Sequence, residues 1–127
     1  MTDISALFRL DGQTALVTGA SRGLGKAIAL ALAGSGARVI CSSSTVEGAA
    51  DTVAAIQAQG GDAIAVAADL ADEASVRALA TAAIEWQGQV DILVNCGGTI
   101  FRAPAVEFPM QQWRQNLAVN LDAAFLL

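Results

Sequence analysis

The residues with the strongest claim to chemistry run from position 18 to 25 and read Thr-Gly-Ala-Ser-Arg-Gly-Leu-Gly. Glycines spaced in this way present backbone amides in place of side chains. Gly19 can make a tight turn, Gly23 lets backbone approach a pyrophosphate, and Gly25 permits close packing of a helix on a strand. Amides at the start of such a helix, helped by its dipole, attract phosphate. The spacing is not that of a P-loop. Five residues separate Gly19 from Gly25-Lys26 where a P-loop has four, and Ala27 follows where Ser or Thr is needed. It is not G-x-G-x-x-G either. A glycine turn selected for packing alone is the competing reading; the setting, between a β-prone run and a helical run, favours the nucleotide.

Other chemistry is scarce. The chain has no His and no Tyr, and its lysine is Lys26. Histidine-based acid–base catalysis and histidine metal sites are excluded within it. Cys41 and Cys96 lack C-x-x-C spacing, so no metal site is expected, and both read as buried free thiols of a cytoplasmic protein. Twelve acidic and seven basic residues give a net charge of −5. The basic residues are scattered, which argues against nucleic acid or an anionic membrane surface as a partner. A hydrophobic content of 54% excludes a disordered polar chain. No apolar run approaches the ~20 residues that span a bilayer. The opening Met-Thr-Asp-Ile-Ser lacks the basic segment of a signal peptide.

The elements that must hold the glycine turn alternate along the chain. Residues 14–18 form a short β-prone run. Over residues 23–35, Leu24, Ile28 and Leu32 mark one helical face, ended by Gly36. Residues 38–41 form a second strand, closed by Ser42-Ser43-Ser44. Residues 46–59 predict a helix with Ala49, Ala50, Val53 and Ile56 on one side and Gly60-Gly61 as breaker. Residues 63–67 form a third strand. Asp72 caps a helix through Val76, Leu79, Ala83 and Trp86, which Gly88 stops. Residues 90–94 form a fourth strand, and a last helix runs from about Met110 to the end. Apolar strands alternating with helices predict an α/β fold with a doubly wound parallel sheet covered on both faces. Ligands of such sheets lie at the carboxyl ends of the strands. The chain stops inside an apolar helix with no cap, so residues 1–127 read as one partial domain.

Residues 18–25 resemble the T-G-x-x-x-G-x-G signature of the short-chain dehydrogenase/reductase family. Ala68-Asp69-Leu70 resembles the Asp after that family's third strand. Leu93-Val94-Asn95-Cys96-Gly97-Gly98 resembles its L-V-N-N-A-G, and Trp113 with Val119-Asn120-Leu121 resembles its W-x₅-V-N-L. Order and spacing agree over nearly the whole chain. The resemblance implies the N-terminal portion of a Rossmann-type α/β/α domain, about four strands of a sheet ordered 3-2-1-4-5-6-7. It implies a nicotinamide cofactor, NAD or NADP, and hydride transfer to or from a small carbonyl or secondary-alcohol substrate. Gly19, Ser21, Arg22, Gly23, Leu24 and Gly25 would line the phosphate loop, and Asp69 and Leu70 would flank the adenine. Asn95 would sit beside the adenosine ribose, with backbone contacts at Gly97. Asn120 would be the Asn of a catalytic Asn-Ser-Tyr-Lys set. Cys96-Gly97 depart from the family's Asn-Ala, so backbone contacts alone carry over at position 96.

The family's Y-x-x-x-K, with its general acid–base Tyr, has no counterpart here and would follow residue 127. The expectation is a cofactor-binding half that is inactive alone. The whole protein would be a dimer or tetramer, and the fragment's fourth strand would be an exposed apolar edge prone to aggregation. At the end of the second strand, Ser42 and Ser43 stand where an Asp would repel a 2′-phosphate. Arg22 could pair with that phosphate, which leans the cofactor towards NADP. Thr99-Ile100-Phe101-Arg102-Ala103-Pro104-Ala105 resembles the loop of sugar-acid dehydrogenases in the family, the 2-deoxygluconate 3-dehydrogenase and gluconate 5-dehydrogenase groups. Arg102 could there meet a substrate carboxylate. Readings from other classes are a catalytically silent dinucleotide-binding module and an interaction piece that pairs through its sheet edge.

Overall fold

Each β-prone run is followed by a helix long enough to carry the chain back, which favours parallel pairing over hairpins. A computed structural model describes residue 1 and residues 3–127. Strands β1 (Thr14–Val17), β2 (Arg38–Ser43), β3 (Ala63–Ala67) and β4 (Ile92–Val94) are all parallel and lie in the order β3-β2-β1-β4. Helices α1 (Gly23–Gly34), α2 (Val46–Ala58) and α3 (Glu73–Gln87) make the crossovers. The chain runs outward from β1 to β3, then returns to the other side of β1 as β4. The strand order therefore reverses between β1 and β4, where open α/β sheets form a crevice.

The pleat sorts the core onto two faces. Ala15, Val17, Val39 and Cys41 point one way and pack with Ala29 of α1 and with Ala49 and Ile56 of α2. Leu16 and Ile40 point the other way and pack with Leu79 and Ala83 of α3. β1 is buried at all four of its positions, as a central strand covered on both faces must be. Thr45 and Asp72 cap α2 and α3 with their side-chain oxygens, accepting from the amides of Gly48 and Ala74. Gly88 ends α3 in the left-handed region at φ 83°.

Several elements differ from the sequence expectation, each for a local reason. In α1 the buried residues are Gly25 and Ala29, and Leu24 is exposed. The helix starts so close to the β1 turn that only small residues fit beneath it. In α2 Ala50 is exposed, and Thr52 is buried in its place because its hydroxyl donates to the Ala20 carbonyl at 2.7 Å. β2 continues through Ser42 and Ser43, which pair in register with Val66 and Ala67. β4 is shorter than residues 90–94. The Asp91 carboxylate takes the Thr14 amide at 2.8 Å, and regular pairing begins only at Ile92. The last helix is not uniform: α4 (Met110–Leu117) passes through a π-helical turn (Ala118–Asp122) into α5 (Ala123–Leu126). Cys41 is fully buried, but Cys96 is only half-buried.

Candidate nucleotide site

A cleft of about 510 Å³ opens at the carboxyl ends of the strands. Its floor is the β1–α1 turn. Gly19 sits at φ 63°, a conformation that glycine adopts without penalty. A Cβ there would lie 2.8 Å from the Gly97 nitrogen and 2.9 Å from the Cys96 carbonyl oxygen, so glycine lets the turn and the loop after β4 touch. A Cβ on Gly25 would strike the Gly19 carbonyl, with the Gly19 carbonyl carbon at 2.7 Å. This glycine brings the first turn of α1 down onto the β1 turn. Gly23, at φ 57°, faces open space and is required by its backbone alone.

Electrostatics at this floor favour an anion. The first amides of a helix have no intrahelical acceptor, and the dipole makes that end positive. Arg22 occupies the N-cap position without a side-chain cap bond, and the first turn of α1 carries no acidic residue. Nothing on the helix itself neutralises those amides. Thr18 ties the opposite wall down: its hydroxyl accepts from the Gly97 amide at 2.9 Å and reaches the Val94 carbonyl at 3.5 Å.

Most of the residues expected at the site come together here. Gly19, Ser21, Arg22, Gly23, Leu24, Gly25, Ser42, Ser43, Asp69, Leu70 and Gly97 all line the cleft. Asp69 is fixed by its neighbours, since its amide donates to the Ser75 hydroxyl and one carboxylate oxygen accepts from the Ala71 amide. Ser43 donates its hydroxyl to the Thr45 carbonyl. Thr18, Ser44, Ala68, Cys96, Gly98 and Val119 also line the cleft; of these, Ser44 and Val119 enter the sequence reading only as parts of flanking segments. Asn95 is exposed at the end of β4, outside the cleft wall. Arg102 is also exposed and outside that wall, on the loop between β4 and α4.

Asn120 lies in the π turn, a distortion that recurs at functional positions in helices. It is exposed, yet its side chain finds two partners on one residue. Its Oδ1 accepts from the Thr99 amide at 2.9 Å and its Nδ2 donates to the Thr99 carbonyl at 2.8 Å. The loop that leaves the cleft at Gly98 is thereby fastened to the last helix. Trp86, Val90 and Leu127 pack around the α3 face of the core, which anchors that helix from below.

Residues 13–127 match the family described as short chain dehydrogenase. The chain belongs to the short-chain dehydrogenase/reductase family. It is 46% identical over 120 residues to a D-threitol dehydrogenase of Mycolicibacterium smegmatis, covering 94% of this chain and 46% of that protein. It is 38% identical over 120 residues to a 2-dehydro-3-deoxy-D-gluconate 5-dehydrogenase of Bacillus subtilis, again covering 94% and 46%. Among solved structures, a metagenomic short-chain oxidoreductase in complex with NADP superposes with a TM-score of 0.89 at 41% identity, over 93% of this chain and 54% of that one. This short-chain dehydrogenase chain thus spans about half the length of the curated relatives it matches. Among the described residues no helix is long and apolar enough to cross a membrane.

Proposed function

We propose that this chain is the nucleotide-binding half of a cytoplasmic NAD(P)-dependent oxidoreductase whose substrate is a small polyhydroxylated alcohol or sugar acid. The observation that carries the reading is the cleft floor: uncompensated amides of α1, Gly19 and Gly25, which clear neighbouring backbone, and Ser42, Ser43 and Arg22 in the same lining. The residues fit a dinucleotide. Gly19, Ser21, Gly23, Leu24 and Gly25 would hold the pyrophosphate, Asp69 and Leu70 the adenine, and Asn95 and Gly97 the adenosine ribose side. Arg22, Ser42 and Ser43 would take a 2′-phosphate, consistent with the NADP named for the metagenomic structure. When bound, the nicotinamide would supply or accept the hydride.

The roles outside the cleft follow from position. Asn120 would serve catalysis by fixing the loop at Thr99, and Arg102, further along that loop, would meet a substrate carboxylate. The names of the threitol and deoxygluconate relatives support a hydroxyl-bearing substrate. The chain contains no Tyr, so the acid–base step of the family lies outside it and residues 1–127 are inactive alone. The whole enzyme would be a homo-oligomer.

Titrating the purified chain with NADPH and with NADH, and following nicotinamide fluorescence, tests the reading. Binding of NADPH is expected, with Gly19→Val abolishing it. The absence of binding of either nucleotide at concentrations on the order of 1 mM would overturn the proposal. D-threitol or gluconate oxidation by the chain alone would overturn its inactivity.

A further inference from the structure

Thr52 directs its hydroxyl away from its own helix. Inside a helix a threonine ordinarily returns its Oγ1 to a carbonyl three or four residues earlier. Thr52 lies in the middle of α2 and is fully buried, one turn from the buried Ala49 and Ile56. Valine has the same shape and no polar atom to desolvate, so apolar packing alone would be served better without the hydroxyl. The hydroxyl donates instead at 2.7 Å to the carbonyl of Ala20, a residue 32 positions away and itself fully buried.

Ala20 stands between Gly19 and Ser21, and both of these line the cleft. The Ala20 amide donates to the Ser42 carbonyl at 3.0 Å, at the end of β2. The chain at Ala20 is therefore bonded through its N–H to β2 and through its C=O to α2. That carbonyl shares one planar peptide group with the Ser21 amide, and no peptide bond here is cis. In a trans peptide the C=O and the following N–H point in opposite directions. Holding the Ala20 carbonyl towards the buried face of α2 thus turns the Ser21 N–H away from the core. Without a donor at position 52 this carbonyl would be buried and lose that bond, and the peptide group would be drawn towards another partner. We infer that Thr52, which does not line the cleft, is a positioning residue: through the Ala20 carbonyl it sets the backbone at Gly19 and Ser21 to receive a pyrophosphate. The inference rests on the nucleotide reading above and adds to it a residue of α2.

Titration of NADPH and NADH into the wild-type chain, Thr52→Val, Thr52→Ala and Thr52→Ser tests it, with helix content and unfolding midpoint measured on the same samples. Both variants without the hydroxyl should weaken each nucleotide that the wild type binds by about tenfold, and to the same extent, since the pyrophosphate is common to both. Thr52→Ser should bind within about threefold of wild type, even where the lost methyl lowers its unfolding midpoint. Affinity would then follow the hydroxyl and not the stability. Wild-type affinity in folded Thr52→Val or Thr52→Ala would overturn the inference and leave the nucleotide reading standing. So would a Thr52→Ser chain that binds as weakly as those two, or a loss confined to NADPH. Loss of helix content in both hydroxyl-free variants would overturn it as well, making Thr52 a residue of the fold and not of the turn. A wild-type chain that binds neither nucleotide would overturn the nucleotide reading itself, and the inference with it.

Discussion

Asn120 grips Thr99 through both ends of one side-chain amide, accepting at 2.9 Å and donating at 2.8 Å across 21 positions of sequence. Two neutral hydrogen bonds contribute together about 1 to 2 kcal/mol where solvent reaches them. Asn120→Ala should lower stability by about that amount, read from urea unfolding, and should speed hydrogen exchange at the Thr99 amide. Asn120→Asp keeps the acceptor but turns a carboxylate oxygen towards the Thr99 carbonyl, so it should recover only part of the loss. Unchanged exchange at Thr99 in Asn120→Ala would show that the loop is held by something else.

Two glycines of the turn should respond differently to alanine. A methyl on Gly25 meets the Gly19 backbone, which cannot move without opening the junction between β1 and α1. Gly25→Ala should cost several kcal/mol, about 3 or more by analogy with overpacked cores, and should abolish nucleotide binding. A methyl on Gly23 meets open space but a φ of 57°. Gly23→Ala should cost only about 1 to 2 kcal/mol. Equal costs, measured by denaturant midpoint, would contradict the close approach of Gly25.

On the proposed reading, Arg22 is the residue that distinguishes the two cofactors. Arg22 lines the same cleft as Ser42 and Ser43, and the 2′-phosphate is the part of NADP that NAD lacks. Arg22→Ala should weaken NADPH binding about tenfold, the worth of one charge-assisted hydrogen bond, and leave NADH nearly unchanged. A parallel loss for both nucleotides would place Arg22 on the pyrophosphate.

The two thiols should titrate apart. Burial beneath α1 and α2 pushes the Cys41 thiol up from 9.0 to about 11. Cys41 should resist thiol reagents at pH 8 while half-buried Cys96 reacts, and NADPH should slow the labelling of Cys96. The linkage has a defined sign. Between pH 9 and pH 11 the unfolded chain loses the Cys41 proton and the folded chain keeps it. Stability therefore falls as pH rises through that window. Cys41→Ala should flatten this part of the stability profile, whatever its effect on stability at pH 7.

The legible parts of the fold were those set by local rules. Asp72 capped its helix and Gly88 ended it, because a side-chain acceptor and a left-handed φ act on neighbours in sequence. The parallel sheet followed from apolar runs separated by helices. Errors came where a distant residue intervened. Thr52 displaced Ala50 as the buried residue of α2 because the Ala20 carbonyl lies within reach. Asp91 delayed β4 by taking the Thr14 amide. Leu24 turned outward because the turn beneath α1 leaves room only for Gly25 and Ala29.

Sequence by itself determined the strands, the helices and the glycine turn, since periodicity and backbone freedom are properties of neighbouring residues. It also named residues that line the cleft. Tertiary structure alone decided that Gly19 abuts Cys96 and Gly97, that Asn120 reaches Thr99, and that the last helix passes through a π turn at Ala118–Asp122. Each of these depends on how elements far apart in the chain are set against one another. That placement is settled by the packing of the whole core and by no interval of residues within it.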